Sequence, residues 1–184
     1  MDFNAFSHGQ IQSKLWLCEN LEPFMKPNST ILNLGCWYNL LGLLLCMRNN
    51  IQIKSVKGID KDMEAITLAN SFCQSFMIQP NVKIHNECMD ANSLDYYGYD
   101  LVINCSVEHM ESKEWFEKIV PNTLVCLQSS NRVTDDPVWD IKNPNPNFET
   151  FKNKFVLSNT YIEKTYHFQY DEYGYDRFMI IGKK

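Results

Sequence analysis

Short β-prone apolar runs alternate with helix-patterned segments five times along this chain, and two further extended runs close it. Few folds accept that order. A strand, a helix and a second strand place the strands parallel, because a right-handed crossover packs the helix back onto the sheet. Strands are expected over 30–35, 53–59, 82–85, 99–105 and 122–128, and helices over 10–24, 40–48, 62–77, 112–120 and 148–155. In the first helix Ile11, Leu15, Cys18 and Leu21 recur at three- and four-residue steps, with Ser7 as its cap and Pro23 and Pro27 to end it. In the third, Ala65, Leu68, Ala69, Phe72 and Phe76 share a face. The run YDLVINC over 99–105 is apolar throughout, as expected of a strand covered on both faces. A Pro- and Asn-rich loop is expected over 137–147, and the runs 160–170 and 175–181 flank Asp171-Glu-Tyr-Gly, a hairpin with a turn-forming glycine. The expected architecture is α/β: a mostly parallel sheet with helices on both faces, closed by an antiparallel hairpin. Ligands of such sheets bind at the carboxyl ends of the parallel strands.

At 184 residues the chain suits one domain, with a helical cap over 1–29 and an α/β core over 30–184. Its 45% hydrophobic and 21% charged residues are those of a globular protein. The net charge of −5, from 17 basic and 22 acidic residues, argues against an extended nucleic-acid surface, since phosphate binding rests on Lys and Arg. Seven cysteines, an odd number with no C-x-x-C pair, sit mostly in apolar runs. That pattern implies a reducing compartment rather than a disulfide frame or a zinc site. The opening MDFNAFSHGQ lacks the basic and apolar regions of a signal peptide, and the longest apolar stretch, 40–47, falls short of the ~20 residues of a membrane span. A cytoplasmic protein is expected.

Four segments carry the chemistry. In Ile31-Leu-Asn-Leu-Gly35-Cys-Trp37 a strand enters a helix through glycine, which lets a ligand approach the backbone and the helix N–H groups. Gly58-Ile-Asp60 ends the second strand with a carboxylate able to accept two ribose hydroxyls, or to cap the next helix; Asp62 is the better cap, leaving Asp60 free. Glu87-Cys-Met89-Asp90 follows the third strand, where an acidic side chain either meets a ligand or is merely solvated. Asn104-Cys-Ser106-Val-Glu108-His109 ends the fourth, and a Glu–His pair beyond a strand end is placed for proton transfer, although His109 equally suits a structural role at a helix start.

Together, in this order, these segments resemble class I S-adenosylmethionine-dependent methyltransferases over residues 30 to about 130. The resemblance implies the Rossmann-like methyltransferase fold with seven strands, and S-adenosylmethionine as cofactor. It departs from the family at the glycine loop, where Asn33 replaces the usual acidic residue and Trp37 stands at the second glycine place. By resemblance, Asn33, Gly35, Trp37, Asp60, Met63, Met89, Asp90, Asn104 and Ser106 bind the cofactor, with Met63 and Met89 against the adenine and Asp90 accepting its amino group. Asn104, Glu108 and His109 line the methyl-transfer site.

Gln10 and Lys14, four apart on one helix face, are candidates for the methionine carboxylate or an acidic substrate, against a simply solvated face. Gln128, Ser129 and Asn131 follow the fifth strand at the same sheet edge and suggest substrate hydrogen bonds, though loops are polar anyway. Tyr96, Tyr97 and Tyr99 form either an aromatic wall or core and rim packing. The expected reaction is methyl transfer to a small molecule, a nucleotide or a protein side chain. Asn104 is followed by Cys-Ser and not by prolines, so the signature of enzymes methylating exocyclic base amines is absent, as is the Pro-Cys pair of cytosine-C5 enzymes. Aminopropyl or aminocarboxypropyl transfer, a catalytically silent binding subunit, and a nicotinamide-dependent oxidoreductase are the alternatives.

Overall fold

The computed structural model describes residues 3–48, 52–75, 82–132, 141–169 and 174–184. Phe76 and Met77 of the third expected helix, 137–140 of the expected loop and 171–173 of the hairpin turn lie outside the described residues. The strands are β1 (Ser29–Leu34), β2 (Ile53–Asp60), β3 (Lys83–Cys88), β4 (Leu101–Asn104), β5 (Leu124–Ser130), β6 (Asn159–Gln169) and β7 (Gly174–Lys183). The helices are α1 (His8–Leu21), α2 (Leu40–Met47), α3 (Met63–Ser75), α4 (Glu114–Glu117) and α5 (Phe148–Lys154).

The seven strands lie in the order β3-β2-β1-β4-β5-β7-β6. β1 to β5 are parallel, and β7 runs antiparallel between β5 and β6. The chain winds outward from β1 to β3, then returns to place β4 on the other side of β1. That reversal opens a crevice at the carboxyl ends of β1 and β4. Both faces of the sheet are covered, and side-chain alternation assigns each residue to one of two cores. Ile31, Ile103, Cys126 and Met179 pack with Leu17 and Leu21 of α1 and Leu41 and Leu45 of α2. Leu32, Val102, Val125 and Phe178 pack with Trp115 and Phe116 of α4 and Phe151 of α5.

The element boundaries differ from expectation where tertiary partners or proline intervene. Helix α1 stops at Leu21 and tightens into a 3-10 turn, Glu22–Phe24, with Pro23 in its first turn. Ser7 stands at its N-cap position, but the Ser7 side chain makes no capping bond. Helix α4 is one turn, shorter than the helix expected to Val120: Ile119 N–H already bonds Phe116 at three-residue spacing, and Pro121 disfavours helical backbone at Val120. β3 runs on to Cys88 because Glu87 and Cys88 pair with Ile59 and Asp60. β5 runs on to Ser130 because Gln128, Ser129 and Ser130 pair with Met179, Phe178 and Arg177 of β7. Ser129 and Ser130, expected beyond the strand, are therefore its buried end, and Asn131 follows half-buried. Among the described residues no helix is long and apolar enough to cross a membrane.

Candidate functional site

A cavity of about 460 Å³ opens at the carboxyl ends of β1, β2 and β4, with α1 along one side. That volume lies in the range of small-molecule sites. Of the residues singled out in the sequence, Gln10, Lys14, Gly35, Trp37, Asp60, Met89, Asp90, Ser106 and His109 line it.

The turn after β1 has left-handed backbone at Gly35 (φ 58°), Trp37 (φ 49°) and Asn39 (φ 51°). Glycine is the residue suited to such angles, yet the second and third of these positions hold tryptophan and asparagine. The turn is held from outside. Trp37 N–H donates to Asp60 Oδ2 at 2.8 Å, Cys36 N–H donates to the Ile59 carbonyl at 3.0 Å, and the Trp37 ring stacks on Tyr38 with centroids 5.0 Å apart. Asn39 Oδ1 caps α2 by accepting from Gly42 N–H at 3.1 Å. A Cβ at Gly42 would stand 2.4 Å from that oxygen, so the cap requires glycine there.

Asn33 does not reach the cavity. It is buried behind the turn, where Asn33 Nδ2 donates to Asn39 Oδ1 at 2.8 Å. Asn39 Nδ2 donates to Asn86 Oδ1 at 2.6 Å, and Asn86 Nδ2 to Asn70 Oδ1 at 3.0 Å. This amide chain joins β1, the turn, β3 and α3, and takes up the polar group expected on the cavity wall.

Asp60 stays on the wall. Its Oδ1 accepts from Asp62 N–H at 3.1 Å and its Oδ2 from Trp37 N–H, which leaves about two of the roughly four lone-pair sites of a carboxylate. Asp62 caps α3 instead, accepting from Glu64 and Ala65 N–H at 2.8 and 3.1 Å. Asp90 Oδ1 accepts from Asn92 N–H at 2.8 Å, and its Oδ2 lies 3.2 Å from Lys61 Nζ. The Asn92 amide first, and then Lys61, hold its carboxyl below the usual range. Met63 is 63% exposed on the first turn of α3 and does not line the cavity. Tyr96 is buried with its hydroxyl donating to the Ala91 carbonyl, and Tyr97 is exposed, so the tyrosines form no wall.

After β4, neighbours in sequence part company. His109 lines the cavity, whereas Glu108 is 2% exposed and points into the protein. Glu108 Oε1 accepts from Ser130 Oγ at 3.1 Å and from Arg177 Nη1 at 3.3 Å, and Arg177 also donates to the Cys105 carbonyl. The expected Glu108–His109 pair is thus not formed, because a cation from β7 claims the carboxylate. Asn104 is fully buried off the cavity wall, its Oδ1 accepting from Ser106 N–H at 3.0 Å.

The polar end of β5 is likewise internal. Gln128 exchanges hydrogen bonds with Ser13, and Ser129 accepts from Asn145 Nδ2 at 2.7 Å; just beyond the strand, half-buried Asn131 pairs with Asp176. None of the three lines the cavity. Gln10 and Lys14 do: Lys14 Nζ donates to Gln10 Oε1 at 2.5 Å, and burial pushes the Lys14 pKa down. Sequence reasoning missed Arg177, since nothing local links it to Glu108, 69 positions away. It also missed Trp115 on the cavity wall, which nothing in the reading of 112–120 as a helix set apart.

No protein-family model matches the chain, and no curated protein matches it in sequence. Solved structures do match. An S-adenosylmethionine-dependent methyltransferase from Methanosarcina mazei is similar over 90% of this chain and 96% of its own, with TM-score 0.67 and 16% identity. The N-methyltransferase NodS from Bradyrhizobium japonicum is similar over 100% of both chains, with TM-score 0.64 and 13% identity. The cyclase SpnF is similar over 94% of this chain and 81% of its own, with TM-score 0.66 and 14% identity. At these identities the likeness is one of fold. The chain has the Rossmann-like fold of class I S-adenosylmethionine-dependent methyltransferases, including the antiparallel hairpin that closes the sheet. The cyclase shows that the fold alone does not set the reaction.

Proposed function

We propose that this chain is an S-adenosylmethionine-dependent methyltransferase acting on a small molecule, a nucleotide or a protein side chain. The observation that carries the reading is Asp60, a wall carboxylate that braces the left-handed turn through Trp37 N–H and keeps lone pairs for a ribose. The cavity fits the cofactor: an acidic end at Asp60 and Asp90, half-buried apolar surface at Met89 and Trp37, and the polar side chain of Ser106 just beyond β4.

When bound, S-adenosylmethionine supplies an electrophilic methyl group on its sulfonium. The chain aligns an incoming lone pair with it and keeps water out, so proximity and a preorganised site account for the acceleration. Asp60 accepts the ribose hydroxyls, while Asp90 and Met89 meet the adenine. His109, on the wall, takes the proton of an amine or hydroxyl acceptor. Glu108 and Asn104 serve from behind, fixing the backbone that carries Ser106 and His109. Calorimetric titration with S-adenosylmethionine and S-adenosylhomocysteine, with reduced nicotinamide dinucleotide as control, tests the reading. Micromolar binding of the sulfur compounds alone is expected; binding of the nicotinamide alone, or of none, overturns it.

A further inference from the structure

Lys14 is out of keeping with its surroundings. It is 8% exposed, it lines the cavity, and burial lowers its pKa. Among the described residues no carboxylate lies within ion-pair distance of it; its hydrogen bond goes to the neutral Gln10. After burial, the guanidinium of Arg177 also lowers the Lys14 pKa, and Arg177 has its own partner in Glu108. An ammonium taken out of water with no counter-ion among the described residues is a costly arrangement. Methionine or leucine would fill the same volume without that cost. The side chain lines the cavity together with Cys105 and Ser106, which follow β4.

We propose that Lys14 and Gln10 form a recognition site for a ligand carboxylate at the β4 end of the cavity. The carboxylate supplies the missing counter-ion and accepts from Lys14 Nζ, and Gln10 holds the ammonium in line. This rests on the methyltransferase reading for the identity of the first of two sources: the amino-acid end of the cofactor, or an acidic acceptor.

Wild-type protein and Lys14→Met are titrated with S-adenosylhomocysteine and with 5′-methylthioadenosine, the same thioether nucleoside without the amino-acid end. Both proteins, loaded with S-adenosylhomocysteine, are then melted with and without millimolar acetate, glycine, succinate and benzoate, and with the corresponding amides. Loss of a charged hydrogen bond corresponds to about ten-fold or more in affinity. A loss of that size for S-adenosylhomocysteine in Lys14→Met, with 5′-methylthioadenosine unaffected, assigns the site to the cofactor's carboxylate. Unchanged nucleoside affinities, with wild type stabilised by an acid but not its amide and Lys14→Met indifferent, assign it to the acceptor. If Lys14→Met leaves every response as in wild type, or wild type distinguishes neither nucleoside nor acid, the proposal falls. Wild-type protein that binds neither nucleoside refutes the methyltransferase reading instead, and the acid melts of the free protein still decide the carboxylate site. The variant is expected to melt above wild type, since it removes a buried unpaired charge, so misfolding does not confound the comparison.

Discussion

At Trp37 a bulky side chain occupies backbone that favours glycine. Left-handed angles cost an L-residue roughly 1–2 kcal/mol, and here the bond to Asp60 and the stack on Tyr38 offset that cost. Asn39 tolerates the same region more readily and adds a helix cap. The turn thus takes left-handed backbone at three positions of which one, Gly35, is glycine. At Gly35 a Cβ would meet nothing closer than Met110 Cε at 3.7 Å, so only the angle resists substitution. Gly35→Ala should therefore cost about 1 kcal/mol in denaturant unfolding. Asp60→Ala should weaken S-adenosylhomocysteine binding by about 2–3 kcal/mol in calorimetry, the scale of a lost charged hydrogen bond with its partners left unpaired. Unchanged affinity would remove Asp60 from the site.

Elements are tied together by two buried polar devices. The amide chain Asn33–Asn39–Asn86 lies against Gly58 of β2, where a Cβ would stand 2.5 Å from Asn86 Oδ1 and 2.7 Å from Asn39 Nδ2. Gly58→Ala should cost about 3 kcal/mol, because the amides must break contact or β2 must shift. The second device joins β7 to the segment after β4 through Arg177, Glu108 and Ser130. Arg177→Met leaves a buried carboxylate uncompensated and should cost about 3–5 kcal/mol; adding Glu108→Gln should recover part of that loss. Strictly additive losses in a double-mutant cycle would show that the pair does not couple the two elements. Neither device was legible in the sequence. Asn33 read as a ligand contact and Glu108 as a partner of His109, because each was judged against its neighbours in the chain. Their actual partners are six to 69 positions away.

For the molecule as a whole, pH probes how the sheet is held. Asp100 accepts from the Thr30 amide and hydroxyl at 2.9 and 2.7 Å, which pins the entry of β4 to β1 and holds its pKa below the ordinary 3.8. Its contribution is present above the unfolded value and lost as pH falls through the lower folded one. At the β6 edge of the sheet, hydrogen bonds first to Asp176 and then to Gln169 raise the His167 pKa above 6.5. That contribution is complete below 6.5 and lost as pH rises through the folded value. Thermal melts against pH should show an acid limb that Asp100→Asn flattens and a neutral-to-alkaline limb that His167→Gln flattens. If the variants melt in parallel with wild type at every pH, neither contact contributes.

Sequence by itself determined the element order, the parallel core, the closing hairpin and the places of Gly35, Asp60, Asp90 and His109 at strand ends. Hydrophobic periodicity and short-range turn chemistry are local properties, and they survive without knowledge of partners. Only the tertiary structure decided which polar groups face the cavity. Gln128, Ser129 and Asn104 look like site residues in the chain, yet pairing of β5 with β7 and hydrogen bonds within the core turn them inward. Lys14, equally ambiguous in sequence, is left on the wall without a counter-ion among the described residues. A buried polar group must find a partner, and whether that partner is the protein or a ligand depends on contacts the linear sequence does not contain.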